Sequence, residues 1–538
     1  MRLYLIAMAL GLVLAAPASA KGHEGSPSKS MATTRAGDIA FANSGSKAGQ
    51  APFLEGLALL HNFEYARAAE SFRRAEEIDP RFVMAYWGEA MTHNHAVWMQ
   101  QDLVAARAAL SRLGATPEQR RSRSATTREK DYLAAVEVLY GEGTKEQRDF
   151  RYSDALAVLH DKYPGDADAT AFYALSILGT CHEGRDFARY MKAAALLEPL
   201  YPTHLRHPGI LHYLIHSYDD PVHAPLGLRA AGRYGAIAPD APHAMHMTSH
   251  IFLALGMWDE VISSNVNAMR VVNEIAARKR QPARTCGHYM IWLMYGYLQE
   301  GRNTEAANTL AGCRATAAAS VSTDKQASFE LDNSDVGSWA YMRLLQIVET
   351  GRDEPLGPLP LQGTLNASPD FFATYADAIA ALRGDDLPAL KSSQARLDDR
   401  KFALLTLMDT QAGASPGDRG AINVIASQIT SILHVRMGDV DAGLAELRKT
   451  AQNESALPVQ FGPPVIALPS WELLGEELVR AGKFEEATTA FRKALAAAPG
   501  RTRALRGLLQ AQENSGDAAA AAATRLELGH YPRASTAH

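Results

Sequence analysis

The stretch "WELLGEELVRAGKFEEATTAFRKALAAAP", residues 471–499, places Trp471, Leu474, Gly475 and Leu478 at three- and four-residue intervals. That is the period of one helix face, so the stretch predicts a helix packed along this stripe. Ala487, Phe491 and Ala494 carry the same period into a second helix, and Pro499 ends it. The small Ala487 and Ala494 let the two helices approach closely. The pattern recurs near the start in "LLHNFEYARAAESFRRAEEIDP", with Ala68, Phe72, Ala75 and Pro80 in matching places, and "FVMAYWGEAMTHNHAVW" (82–98) opens the next unit. Residues 207–239, 243–272 and 288–313 read as further helical hairpins, with Pro239 in phase with Pro80 and Pro499. No strand-period alternation of comparable length occurs. The expectation is an all-α solenoid of stacked hairpins in two lobes.

Composition shifts divide the chain. Residues 1–20, "MRLYLIAMALGLVLAAPASA", have a basic start, a short apolar run and a small-residue end at Ala18-Ser19-Ala20, the layout of a secretory signal peptide. Residues 21–50 are rich in Gly, Ser, Ala and Lys and read as a disordered segment. An N-terminal lobe is expected over 51–314, an irregular linker over 315–370, a C-terminal lobe over 371–528 and a tail over 529–538. No later segment approaches the ~18 uninterrupted apolar residues of a membrane span. The expected location is therefore exported, periplasmic or secreted.

The 471–499 unit resembles the 34-residue tetratricopeptide repeat at nearly every marked position. Together, "LLHNFEYARAAESFRRA", "MAYWGEAMTHNHAVW", "HPGILHYLIHSYDDP", "APDAPHAMHMTSHIF" and "FGPPVIALPSWELLGE" resemble a family of exported bacterial tetratricopeptide-repeat proteins over most of the chain. The resemblance implies the solenoid fold and export, and brings no activity with it.

The formal net charge of −5, with no basic run alternating with aromatics, excludes a strongly basic nucleic-acid binder. Three cysteines are too few for a disulfide scaffold, but Cys286 and Cys313 could bridge within one helical hairpin.

The sharper chemistry lies in the histidines. Eight of the 18 fall within residues 204–250. "HYLIH" holds His212 and His216; "HMTSH" holds His246 and His250, each 34 positions after its counterpart. Side chains at i and i+4 share a helix face, and imidazole pairs at this spacing are used by metal-binding helices. Counted in repeat register, both pairs take the positions that line the concave groove on neighbouring helices, about 8–10 Å apart. The expectation is one transition-metal site built from His212, His216, His246 and His250. An all-nitrogen set suits zinc, copper or nickel rather than magnesium or calcium. His207, His243, His223, His288, His61 and His95 are expected as outer groups or additional ligands. Glu472 and Glu476 take the same groove positions in the 471–499 unit and could face a cation or a basic ligand.

No HExxH, GxSxG, Walker loop or GxGxxG pattern is present, and no residue stands out as catalytic. Three functions stay open at this point. One is a scaffold that binds a protein or peptide in its groove beside a zinc or copper site. Another is a metal-dependent hydrolase or oxidoreductase. The last is a metal-free adaptor.

Overall fold

A computed structural model describes residues 29–321, 328–353, 355, 357–361, 366–411 and 414–531. The signal-peptide reading over 1–20 lies outside these residues. Among them are 24 α-helices, nearly all packed as antiparallel neighbours in chain order. The fold is an all-α solenoid of tetratricopeptide-like hairpins.

Two units show how side-chain size sets the stacking. Phe72, on helix Tyr65–Ile78, is fully buried between Gly56 and Gly88; a Cβ on either glycine would lie 2.9 or 2.4 Å from its ring. Phe491, on helix Phe484–Ala497, sits the same way between Gly475 and Gly507, at 2.8 and 2.3 Å. In each unit one phenyl ring fills the room that two missing side chains leave on the helices before and after it. Burying such a ring contributes about 1.5–3 kcal/mol.

The buried residues form two clusters, Ala36–Ala254 and Trp258–Ala511. The two clusters meet between helices Pro242–Ala254 and Trp258–Arg278, and the second runs through the 315–370 segment. Within that supposed linker stands helix Asp335–Thr350, capped by Ser334, with nearly every side chain buried. Its polar positions Ser338, Arg343, Gln346 and Glu349 are buried as well, so it packs against protein on both faces. The segment read as disordered also contains structure. Lys29–Thr34 and Gly37–Ala42 form an antiparallel hairpin, and Ile39 and Phe41 enter the first core.

Cys286 and Cys313 are joined by a disulfide that closes 27 residues of chain. Cys181 is buried and unpaired. From loop length alone the bridge is worth about 3–4 kcal/mol. Converting both cysteines to Ser is expected to lower unfolding stability by that amount, measured by denaturant titration. An unchanged midpoint would show that the helices around it hold the loop without it.

Glu472 is not a groove contact. It is fully buried and accepts from Arg501, whose Nε lies 2.6 Å away; Arg503 Nε lies 3.1 Å from it. Glu476 is held between Arg503 and Arg383, at 2.5 and 2.7 Å. Both carboxylates belong to an internal ion-pair network joining helices Asp335–Thr350, Ser470–Arg480 and Thr502–Ser515.

Candidate metal centre

Three alternate helices supply the histidines: Pro208–Tyr218, Pro242–Ala254 and His288–Gln299. The first two begin with Pro at their first turn, where the missing N–H costs nothing. His212 and His216 lie one turn apart on the first helix. On the second, His243, His246 and His250 form a single stripe at intervals of three and four. His288 opens the third.

The four predicted ligands do not meet at one point. They divide between two triads, each completed by a histidine expected as an outer group or additional ligand. His212, His216 and His243 form one; His246, His250 and His288 form the other. Within each, one nitrogen per ring lies within 4.8 Å of the others. The middle helix serves both, since His243 at its start faces the first helix and His246 and His250 face the third. The triads are neighbours. The rings of His216 and His250 are 6.0 Å apart, and those of His243 and His246 are 6.1 Å apart.

Hydrogen bonds fix the tautomers in the second triad. His250 Nδ1 is 2.6 Å from Asp219 Oδ2, and His288 Nδ1 is 2.6 Å from Asp332 Oδ2. His246 Nδ1 is 2.8 Å from Asn265 Oδ1, and Asn265 is itself oriented by donating Nδ2–H to Val261 O at 2.8 Å. All three partners accept, so each Nδ1 carries a proton, and in the neutral ring that ligates, each Nε2 presents a lone pair. Yet His246 Nε2 lies 3.1 Å from His250 Nε2 and 3.0 Å from His288 Nε2. Three lone pairs facing one another at this distance repel unless a cation lies between them. Three imidazole nitrogens around a metal at ~2.0–2.1 Å stand at about this separation.

The first triad follows the same logic. His212 donates Nδ1–H to the backbone oxygen of His61 at 2.7 Å. Its Nε2, with those of His216 and His243, is buried without a hydrogen-bond partner. A buried nitrogen left unpaired costs roughly 1–3 kcal/mol, and three in one place call for a common partner. Burial, reinforced by neighbouring histidines, pushes His212, His216, His243 and His246 well below the usual imidazole range. They are therefore neutral near pH 7, the form that ligates.

A third group, His61, Asp168 and His207, is satisfied without a metal. His61 reaches Asp168 Oδ1 at 2.9 Å through Nε2 and the Tyr213 hydroxyl at 2.9 Å through Nδ1. His207 Nε2 lies 3.3 Å from the same carboxylate oxygen, and its Nδ1 accepts from the Ile210 amide. This group adjoins the first triad through His61, whose carbonyl accepts from His212. Gly209 makes room for it, since a Cβ there would lie 2.3 Å from His61 Nδ1.

The two remaining histidines stand apart. His223 is taken up by Asp220, at 2.9 Å. His95 stacks on Tyr65, ring centres 4.0 Å apart, and lines the cleft without joining a triad.

The groove is not open here as the repeat register implied. His212, His216, His246 and His250 are at most 3% exposed. Phe63 covers the first triad, with its ring 4.3 Å from His212. Trp292 lies tilted against His250 at 4.3 Å, and Phe461, from the Pro-rich segment before the 471–499 unit, lies 5.3 Å from it. Gly462 lets that segment pass: its φ is +90°, and a Cβ would meet the Trp292 ring at 2.5 Å. His243 and His288, one from each triad, line a cleft of about 560 Å³ between the two cores. Its walls include Tyr65, Trp98, Tyr289 and Phe372.

The carboxylate behind His250 gives a specific expectation. Asp219→Asn lets an amide N–H face Nδ1, which moves the imidazole proton to Nε2 and blocks ligation. Outer partners of this kind typically change metal affinity about 10–100-fold. Isothermal titration should show that loss for the second triad and none for the first.

Comparison with known proteins places residues 468–501 in a match to the tetratricopeptide repeat. A search of curated proteins finds no match. Among solved structures the chain is similar to the Cut9–Hcn1 tetramer of the APC/C at TM-score 0.33 and 9% identity, covering 91% of this chain and 75% of that one. It is similar to yeast Tom70 at TM-score 0.25 and 11% identity, covering 88% and 83%. Human IFIT1 with m7Gppp-AAAA gives TM-score 0.29 and 10% identity, covering 92% and 91%.

Proposed function

We propose that the chain is an exported metalloprotein whose helical-repeat frame holds two transition-metal ions side by side, each on three histidines. The observation that carries this reading is the set of six Nε2 atoms gathered into two groups of three. In the second triad all three are lone pairs fixed by acceptors on Nδ1; in the first, none has a hydrogen-bond partner. Three protein ligands leave a further position on each ion for water or a ligand. The cleft beside His243 and His288 supplies an approach for a small molecule or an extended peptide, which favours a reactive or ligand-binding centre over a purely structural one. The amino-terminal twenty residues and the Cys286–Cys313 disulfide support an oxidising, exported location.

X-ray absorption on the metal-loaded protein tests the ligand set. The account expects about three nitrogen scatterers per ion with the outer-shell signature of imidazole. A sulfur shell, or a shell of oxygens alone, would refute it.

A further inference from the structure

The charge around the two triads narrows the choice of metal, on the reading just proposed. All six ligands are imidazoles, and among the described residues no carboxylate enters either triad. Among the described residues two carboxylates touch the ligand rings, Asp219 on His250 and Asp332 on His288; Glu64, which accepts from the His243 amide, is paired with Arg67, at 3.5 Å. The nearby Arg185 is neutralised by Asp220, at 2.9 Å. Two monovalent ions would therefore be balanced by two carboxylates. Two divalent ions would leave two positive charges uncompensated in a buried site, unless an exogenous dianion joined them. A pair of divalent ions used for hydrolysis also calls for carboxylate or hydroxide bridges, and no carboxylate is placed to bridge. Imidazole nitrogens suit copper, and copper alternates between these two charges.

We propose that the two triads hold copper as a Cu(I) pair, and that the pair reduces one dioxygen as a unit. Each Cu(I) gives one electron and becomes Cu(II). The dioxygen takes both electrons and becomes a bound two-electron-reduced dianion, with no bond to the protein broken and no proton consumed. The charge balance holds in both states, because the dianion arrives with the two positive charges gained. The open position on each ion and the cleft beside His243 and His288 give dioxygen its way in.

The test uses the full mature chain, stripped of metal and titrated anaerobically with Cu(I) against a chromophoric Cu(I) chelator, with Zn(II) in parallel. The expected result is two Cu(I) per chain. Admitting oxygen should then consume one dioxygen per two copper ions and leave a weak paramagnetic resonance signal, because the two Cu(II) spins couple. His288→Ala, at a partly exposed ligand, should bind one tight Cu(I) and give the full signal of an isolated Cu(II). Circular dichroism checks its fold, and Asp332→Asn repeats the comparison at a position outside the ligand set.

Paired Cu(I) that oxidises to two uncoupled, fully visible Cu(II) ions would overturn this inference. So would pairwise binding of Zn(II) with no Cu(I) taken up. Either outcome leaves the two-centre reading standing. Failure of every transition metal to bind would remove both.

Discussion

Arg501→Met is expected to destabilise the protein by about 3–5 kcal/mol in denaturant unfolding, the range for stranding a buried charge. Arg501 is fully buried and bridges Glu472 and Glu349, at 2.6 and 2.8 Å, while donating to Tyr295 and to the Ala467 carbonyl. Methionine fills much of the volume but leaves the two carboxylates facing each other. Burial already pushes Glu472 above the usual carboxylate range, and Arg501 is the largest influence holding it down. Without the guanidinium its pKa rises further. A group whose folded pKa is raised contributes its stability below the unfolded value and loses it as pH rises. The penalty of Arg501→Met should therefore be largest near pH 7 and shrink as pH falls toward about 4.3, the free glutamate value. Adding Glu472→Gln to the variant should recover part of the loss at pH 7. A loss that is the same at both pH values would mean that lost packing, not stranded charge, causes it.

The second large effect separates the two triads. His216→Ala should abolish tight binding of one metal ion and spare the other, and His250→Ala should do the reverse. Structural four-ligand zinc sites bind with about 10–16 kcal/mol, so one ligand is worth roughly 3 kcal/mol, or on the order of 100-fold in affinity. Calorimetric titration of each variant should show one unchanged site and one weakened by about that factor. If either single change removes both ions, the six histidines form one indivisible site and the division into triads is wrong.

How far the sequence carried these conclusions differs between frame and site. The stripes at Trp471–Leu478 and the phased Pro80, Pro239 and Pro499 were enough for the solenoid, because each hairpin repeats the same local packing. Helix Asp335–Thr350 escaped notice because its polar positions are buried with its apolar ones, and because Pro-rich sequence follows it. The two histidine pairs pointed to two of the three helices that carry the triads. Their grouping was missed because sequence offset alone does not say where along its length one helix faces another. The stripe His243, His246 and His250 was the available signal: its period runs along one helix from one neighbour to the next. Asn265 and Asp332 were invisible, since each reaches its histidine across a helix hairpin. Arg501 follows Pro499-Gly500 and reads as a loop residue, so Glu472 looked free for a ligand when its partner lay 29 positions ahead.

The central claim is that this chain carries two metal ions on six histidines. The most direct measurement is elemental analysis of untagged mature protein purified from its own compartment without chelators. The account predicts close to two equivalents of transition metal per chain, falling to one in His250→Ala. A native protein that contains no transition metal, and that takes up none on reconstitution, would contradict it.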